Sequence, residues 1–309
     1  MKKTRLGGTG FDVSALGFGG APVGYLKTDQ ERASRVLNLL LDAGVNLIDT
    51  AASYPGSEEL IARSIGHRRS EFVLVSKCGS KVSGVSGEAW SAELISQTVD
   101  RSLRNLRVDV LDVMLLHSCD LATLQKEEAI GALVRARAAG KIRFAGYSGD
   151  NEAAIWAAAH PEIAVLETSI SIADQVNIDL ALPIARSGIG VLAKRPIANA
   201  AWKEPDQQPG LYRDYASEYH KRLKKMQLNP ADLGFSGAPA DVWPEIALRF
   251  TLSIEGVNSA IIGTTNPDNA CANIAYAEKG PLPRDAVQRI RDAFKRAQNT
   301  VGERWTGET

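Results

Sequence analysis

Short apolar runs alternate along this chain with longer stretches in which apolar residues recur every three to four positions. Residues 15–19 form the first strand candidate. A helix over 29–43 follows, with Val36, Leu37, Leu39, Leu40 and Leu41 on its apolar face and Gly44 as its stop. Strand 46–49 precedes helix 57–65, which opens on Ser57 as N-cap with Glu58 and Glu59 in an acidic first turn and stops at Gly66. Residues 72–76 are continuously apolar, as a strand buried on both faces should be. The alternation continues as helix 91–106, strand 110–116, helix 124–139, strand 142–146, helix 152–159, strand 163–169, helix 179–187 and strand 189–193. After a long insertion come helix 242–253, strand 260–262, helix 270–277 and an extra amphipathic helix over 283–299.

This succession of strand–helix units predicts an α/β fold with a parallel sheet, and its count fits a closed (β/α)8 TIM barrel. An open doubly wound sheet is the alternative. It needs a G-x-G-x-x-G turn between the first strand and helix, which Gly17-Phe18-Gly19-Gly20-Ala21-Pro22 does not supply. The glycine-rich segment 5–11 reads instead as the turn of an N-terminal β-hairpin. No low-complexity linker divides the chain, so residues 1–309 are expected to form one domain. The insertion 197–240 is too long for a structureless loop and reads as a lid, with a helix of its own over 215–226.

Composition narrows the function classes. A 44% hydrophobic and 23% charged chain is too apolar for disorder. Lys plus Arg and Asp plus Glu each total 36, which removes the electrostatic footprint of a general nucleic-acid binder but leaves room for a local basic pocket. Cys78, Cys119 and Cys271 are far apart and suggest neither a disulfide framework nor a metal knuckle. No apolar segment follows Met1-Lys2-Lys3 as in a signal peptide, and no run reaches the ~18 residues of a membrane span. The expectation is a soluble cytoplasmic protein with reduced thiols and no membrane or nucleic-acid partner.

Chemistry in such barrels sits at the C-terminal strand ends. There the sequence places Asp49, with Tyr54 in the next loop, then Lys77 and His117, each strand-end residue directly after an apolar run. A tyrosine is a weak acid near neutrality. A neighbouring ammonium lowers its pKa, a carboxylate keeps that ammonium charged, and a histidine shares the substrate oxygen or relays the proton. Such a set donates a proton to an oxygen that gains negative charge, as carbonyl reduction by hydride requires.

Segment 44–51 with Tyr54, then Val75-Ser76-Lys77 and Leu115-Leu116-His117, resembles the signature segments of the aldo-keto reductases, and the likeness runs from the hairpin at 5–11 to 261–273. It implies an NAD(P)H-dependent oxidoreductase on a (β/α)8 barrel that reduces an aldehyde or ketone to an alcohol, reversibly. Tyr54 would be the general acid/base, Asp49 and Lys77 its tuning pair, and His117 the substrate orienter. NADPH is the implied cofactor, with NAD also open. Its implied contacts are Gly20, Ala21, Asp49, Ser148, Gly149, Glu167, Lys194, Arg195, Pro196, Ile262, Gly263, Thr264, Thr265, Asn269 and Asn273. A small-molecule carbonyl substrate and a monomer are expected. Tyr25, Trp90 and Trp202 are candidate substrate walls, and Tyr212 and Tyr215 candidate covers.

Three positions depart from the family pattern. Gly149 stands where Asn usually follows Ser, Glu167 where Gln is usual, and Lys194 where an aromatic residue often stacks on the nicotinamide. The expectation is that Glu167 and Lys194 form a compensating ion pair, because a lone carboxylate there would favour the cationic oxidised ring. Positions 263–269 carry no Lys or Arg for a 2′-phosphate.

Rival readings are weighed on the same residues. A metal-dependent hydrolase needs several ligands at strand ends, and of His67, His117, His160 and His220 only His117 falls there. A two-carboxylate glycosidase using Glu167 leaves Lys77 and Tyr54 unexplained. A cofactor-binding redox sensor or regulatory subunit with slow turnover is the non-enzyme alternative.

Overall fold

The computed structural model describes residues 1–26, 28–208, 213–302 and 304–309, apart from the side chains of Pro205, Tyr215 and Val301. The chain opens with an antiparallel hairpin, β1 (Lys3–Arg5) and β2 (Asp12–Ser14), joined through a 3-10 turn at Gly7–Thr9. Strand β3 (Leu16–Gly19) leads into a short helix α1 (Ala21–Tyr25), which the periodicity does not reveal, then α2 (Gln30–Asp42), β4 (Leu47–Asp49) and α3 (Ser57–Ile65). Next come β5 (Val73–Cys78), α4 (Ala92–Leu106), β6 (Leu111–His117), α5 (Leu121–Gln125), α6 (Glu128–Ala138), β7 (Ile142–Ser148), α7 (Asn151–Ala159), β8 (Ile163–Ser169), α8 (Ile178–Arg186) and β9 (Gly190–Lys194). The inserted helix α9 (Arg213–Met226), then α10 (Pro239–Leu252), β10 (Ser259–Ile262), α11 (Pro267–Glu278) and α12 (Arg284–Val301), complete the order.

Strands β3 to β10 close into a parallel barrel, with β10 pairing with both β3 and β9. Closure excludes the open doubly wound sheet. Two expectations need correction. Helix 124–139 is two helices, because Glu127 adopts a left-handed conformation with φ of 57° and breaks the run. Ser57 is not the N-cap of α3. Gly56 occupies that position, and the Ser57 hydroxyl donates to the Gly20 carbonyl at 3.1 Å, tying α3 to the loop after β3.

The hairpin plugs the lower end of the barrel. Leu6 and Val13 are fully buried among Leu47, Val75, Val113, Leu115, Val165, Leu192 and Ile261, all inward-facing strand residues. Gly7 permits this fit. Its φ is +49°, and a Cβ there would lie 2.3 Å from the Gly190 amide nitrogen, so backbone packs on backbone. A second and larger apolar layer fills the space between the strands and the surrounding helices. The insertion joins this layer: α9 packs on α12 and buries Tyr219, Arg222 and Met226, and Tyr219 and Met226 belong to the same apolar cluster. Among the described residues, no helix is long and apolar enough to cross a membrane.

Candidate active site

Strand alternation builds the upper end. Two residues beyond Leu47, Val75, Leu115, Val165 and Leu192, on the same inward face, come Asp49, Lys77, His117, Glu167 and Lys194. The β6–β7–β8 register aligns His117 with Ser148 and Ser148 with Glu167. One pleat therefore turns an apolar barrel interior into a ring of titratable side chains.

At its centre the Lys77 ammonium is 1% exposed and donates to both Asp49 carboxylate oxygens at 2.5 Å and to the Thr50 carbonyl at 3.2 Å. Burial works against its charge, but Asp49 and Glu167 outweigh that and hold it protonated far above the usual range. Burial and the Glu167 charge raise Asp49 well above an ordinary carboxylate, against the pull of Lys77. Lys77 Nζ lies 5.6 Å from the Tyr54 ring centroid. Burial raises the Tyr54 phenol, and Lys77 is the group that opposes the rise. The His117 ring meets Tyr54 edge-on at 5.8 Å between centroids, and its Nδ1 lies 3.3 Å from the Ser53 hydroxyl. Burial, then Lys77, Lys194 and Arg195, push His117 well below an ordinary imidazole, so the ring is neutral at pH 7. The four sequence-derived candidates thus meet at one place, with Tyr54 and His117 on the surface of a cavity and Lys77 beneath them.

The expected Glu167–Lys194 ion pair does not form. Lys194 Nζ is held by Asp150 at 2.9 Å, and Glu167 Oε2 faces Lys77 at 3.4 Å. Asp150 wins because it is preorganised: its carboxylate also accepts from Thr168 Oγ1, the Ser169 amide and Asn177 Nδ2 at 2.7–2.9 Å. Burial acts to raise Asp150, but Lys194 and these hydrogen bonds overcome it and keep the group ionised. Sequence reading missed Asp150. Its signal is the polar run Ser148-Gly149-Asp150-Asn151 directly after a strand. Gly149 also has a local cause, since a Cβ there would lie 2.3 Å from the Tyr147 hydroxyl, which is fixed on the Cys119 carbonyl.

The cavity has a volume of about 520 Å³, within the range of ligand and cofactor sites. Ala21, Tyr25, Asp49, Tyr54, His117, Ser148, Glu167, Lys194, Arg195, Pro196, Ile262, Gly263 and Asn269 lie on its wall. Other candidates sit behind it. Thr264 turns its hydroxyl onto Asn266 within its own loop, the Thr265 carbonyl takes the Arg32 guanidinium at 2.6 Å, and Asn273 is buried in α11. The Gly20 carbonyl is taken by Ser57, and the Gly149 amide donates to the Glu167 carbonyl at 3.0 Å. Trp90 lies over the backbone of Gly79 and Trp202 packs on the core, so neither is on the cavity wall. Tyr212 and the Tyr215 side chain lie outside the described residues. Ile197, Asn199 and Gln208 of the insertion do reach the wall, as does Thr309 near the end of the chain. That last segment is fixed by Glu308, whose carbonyl accepts from Arg195 and whose carboxylate takes buried Arg222 at 2.7 Å. None of these four residues has a periodic or motif signal, because loops and tail reach the mouth only through the closed fold.

The polar set fits a nicotinamide. Ser148 offers a hydroxyl, and Glu167, also on the cavity wall, has its buried Oε2 without a hydrogen-bond donor. The residues that would hold the ring are Ser148 and Glu167, with Gly263 and Asn269 toward the far end of the cavity.

A model of the Aldo/keto reductase family matches residues 15–295. L-galactose dehydrogenase of Arabidopsis thaliana is 25% identical over 286 residues, covering 87% of this chain and 86% of that protein. A probable voltage-gated potassium channel subunit beta of the same plant is 25% identical over 91% of this chain and 93% of its own length. Among solved structures, aldo-keto reductase AKR11C1 from Bacillus halodurans superposes with a TM-score of 0.79 at 26% identity, covering 95% of this chain and 96% of that one. With its closed barrel and a family match across most of its length, this chain belongs to the aldo/keto reductase family and is an oxidoreductase of that NAD(P)H-dependent type.

Proposed function

We propose that this protein reduces an aldehyde or ketone to an alcohol, reversibly, with Tyr54 as the proton donor. The observation that carries the reading is the convergence of Tyr54, His117, Asp49 and Lys77 on one cavity. Ser148 and Glu167 would hold a reduced nicotinamide, which when bound would supply the hydride for the carbonyl carbon. Tyr54 Oη gives its proton to the carbonyl oxygen, so that carbon gains a hydride, oxygen gains a proton and an alcohol results. Lys77 stabilises the phenolate left behind, and Asp49 keeps Lys77 charged. Neutral His117 donates one N–H hydrogen bond to the same oxygen and orients it. In the oxidative direction each proton movement reverses.

The experiment is transfer of deuterium from 4-deuterated NADPH to a reactive aldehyde such as 4-nitrobenzaldehyde. Deuterium at the product carbinol carbon is expected, with kcat/KM lowered about 10²- to 10⁴-fold in Tyr54→Phe. Equal rates for the two proteins would overturn the role of Tyr54.

NADPH is the proposed cofactor, with NADH also accepted. Arg32 supports this order, because α2 brings its guanidinium to the loop after β10, which has no cation of its own. A small-molecule carbonyl substrate and a monomer complete the reading. A regulatory subunit that holds cofactor and turns over slowly is the second reading. It is favoured by the likeness to a potassium channel subunit beta and by the altered groups at Gly149 and Glu167. Single-turnover oxidation of bound NADPH by aldehyde at the same rate in wild type and Tyr54→Phe would support it.

A further inference from the structure

Glu167 is 3% exposed and lies on the wall of the cavity at an inward position of β8. Its Oε1 accepts from Ser148 Oγ at 3.0 Å. Its Oε2 has no hydrogen-bond donor. The nearest cation, Lys77 Nζ at 3.4 Å, has already placed its three protons on the two Asp49 oxygens and the Thr50 carbonyl. The other cation within the ring, Lys194, is committed to Asp150. Two carboxylates therefore share one ammonium, and the second of them, on the wall of the cavity, keeps one buried oxygen without a hydrogen-bond donor.

Burying such an oxygen is costly, and a ligand that brings positive charge to it recovers that cost. Both redox forms of a nicotinamide carry the same carboxamide, so both can offer the Glu167 side chain the same N–H. They differ in the ring, which is cationic when oxidised and neutral when reduced. A glutamine at this position would offer the carboxamide a similar acceptor without the charge, and so would not separate the two forms.

We propose that Glu167 makes this pocket select the oxidised nicotinamide over the reduced one, so that oxidised cofactor is the tighter ligand and a strong product inhibitor of carbonyl reduction. The inference rests on the proposed use of a nicotinamide cofactor. It makes Glu167 a determinant of cofactor redox state rather than a group that moves a proton. For a two-electron couple, each tenfold preference for the oxidised form lowers the potential of the bound cofactor by about 30 mV.

The test is binding in the absence of any substrate. NADP⁺ and NADPH are titrated into the whole protein by calorimetry, at one pH and one salt concentration, and the ratio of their Kd values is taken. In the wild type the oxidised form binds more tightly. In Glu167→Gln the ratio moves at least about tenfold toward the reduced form, with most of the change on the NADP⁺ side. Ser148→Ala removes the donor to Oε1 and keeps the charge, so it retains the wild-type sign. A wild-type protein that binds NADPH tenfold more tightly than NADP⁺ overturns the proposal without any variant. So does a ratio in Glu167→Gln within twofold of wild type, and that outcome leaves the Tyr54 chemistry standing. Failure to bind either form overturns both this proposal and the functional reading beneath it.

Discussion

In the lower half of the barrel Val75, Val113, Leu115, Val165 and Leu192 meet Leu6 and Val13 of the hairpin; one pleat higher, β4, β5, β6, β8 and β9 carry Asp49, Lys77, His117, Glu167 and Lys194. Backbone geometry and inward parity are the same in both halves. Below, any apolar side chain of suitable volume satisfies its neighbours, and contacts add locally. Above, each group depends on a specific partner: Lys77 on Asp49, Lys194 on Asp150, and Asp150 on hydrogen bonds from β8 and Asn177. The lower half therefore governs whether the barrel closes, and the upper half what charge state it presents to a ligand.

Removing Lys77 breaks this division most severely. Lys77→Met leaves Asp49 and Glu167 buried without their ammonium and is expected to cost about 3–5 kcal/mol of stability at pH 7. Asp49, raised by burial and the Glu167 charge, then loses the ammonium that opposed the rise and takes up a proton more readily in the folded state than in the unfolded one, so the loss shrinks as pH falls. Urea midpoints at pH 7 and pH 5 measure it, and an unchanged midpoint would make the upper ring a purely chemical feature. Leu6→Ala is the matching change below. It is expected to cost about 2–5 kcal/mol in the same assay while kcat/KM, measured well below Tm, stays within about twofold of wild type.

A third change separates the ring from the outer network around the chain's last residues. Asp174 is fully buried and accepts from Tyr219 Oη and the Glu308 amide, each at 3.0 Å. Burial, then the Asp150 charge, raise its pKa to about 6. An unfolded chain gives up this proton near pH 4, at about 3.9. Between pH 4 and 6 the folded protein thus holds a proton that the unfolded chain has lost. The contribution of Asp174 to stability is greatest at the acid end and falls as pH rises through 6, by about 3 kcal/mol in all. Asp174→Asn should flatten that part of the stability–pH curve, read by urea unfolding at half-unit steps. The smallest effect is expected at the rim. Arg32→Ala should weaken NADPH about three- to tenfold and leave NADH unaltered, measured as two Kd values. Equal weakening of both would assign Arg32 to the loop rather than to the phosphate.

Asp49, Lys77 and His117 were legible because each closes an apolar run, and a strand buried on both faces has no other reason to end in a charge. The hairpin, the barrel order and all eight barrel strands were legible for the same reason of pattern. The partner of Lys194 was not. Lys194 and Glu167 have the same parity on adjacent strands, which made them natural mates on paper. Asp150 instead follows β7 in a loop, and hydrogen bonds from Thr168, Ser169 and Asn177 hold it ready. The break at Glu127 was equally silent, because a left-handed residue inside an apolar helical pattern leaves the pattern intact.

The hairpin plug has a consequence for how the protein is made. Residues 3–14 leave the ribosome before every strand of the barrel, yet Gly8 donates to the Gly188 carbonyl and Asn258 clasps both Thr4 and Arg5. Leu6 likewise waits for strands as late as β10. During synthesis an apolar plug must therefore remain without its socket until more than 250 residues have emerged, the separation between Thr4 and Asn258 being 254. Contacts this distant in sequence slow folding and lengthen the exposure of apolar surface. The lower end is thus the stage at which nascent chains of this protein compete between closure and capture by a chaperone or by one another.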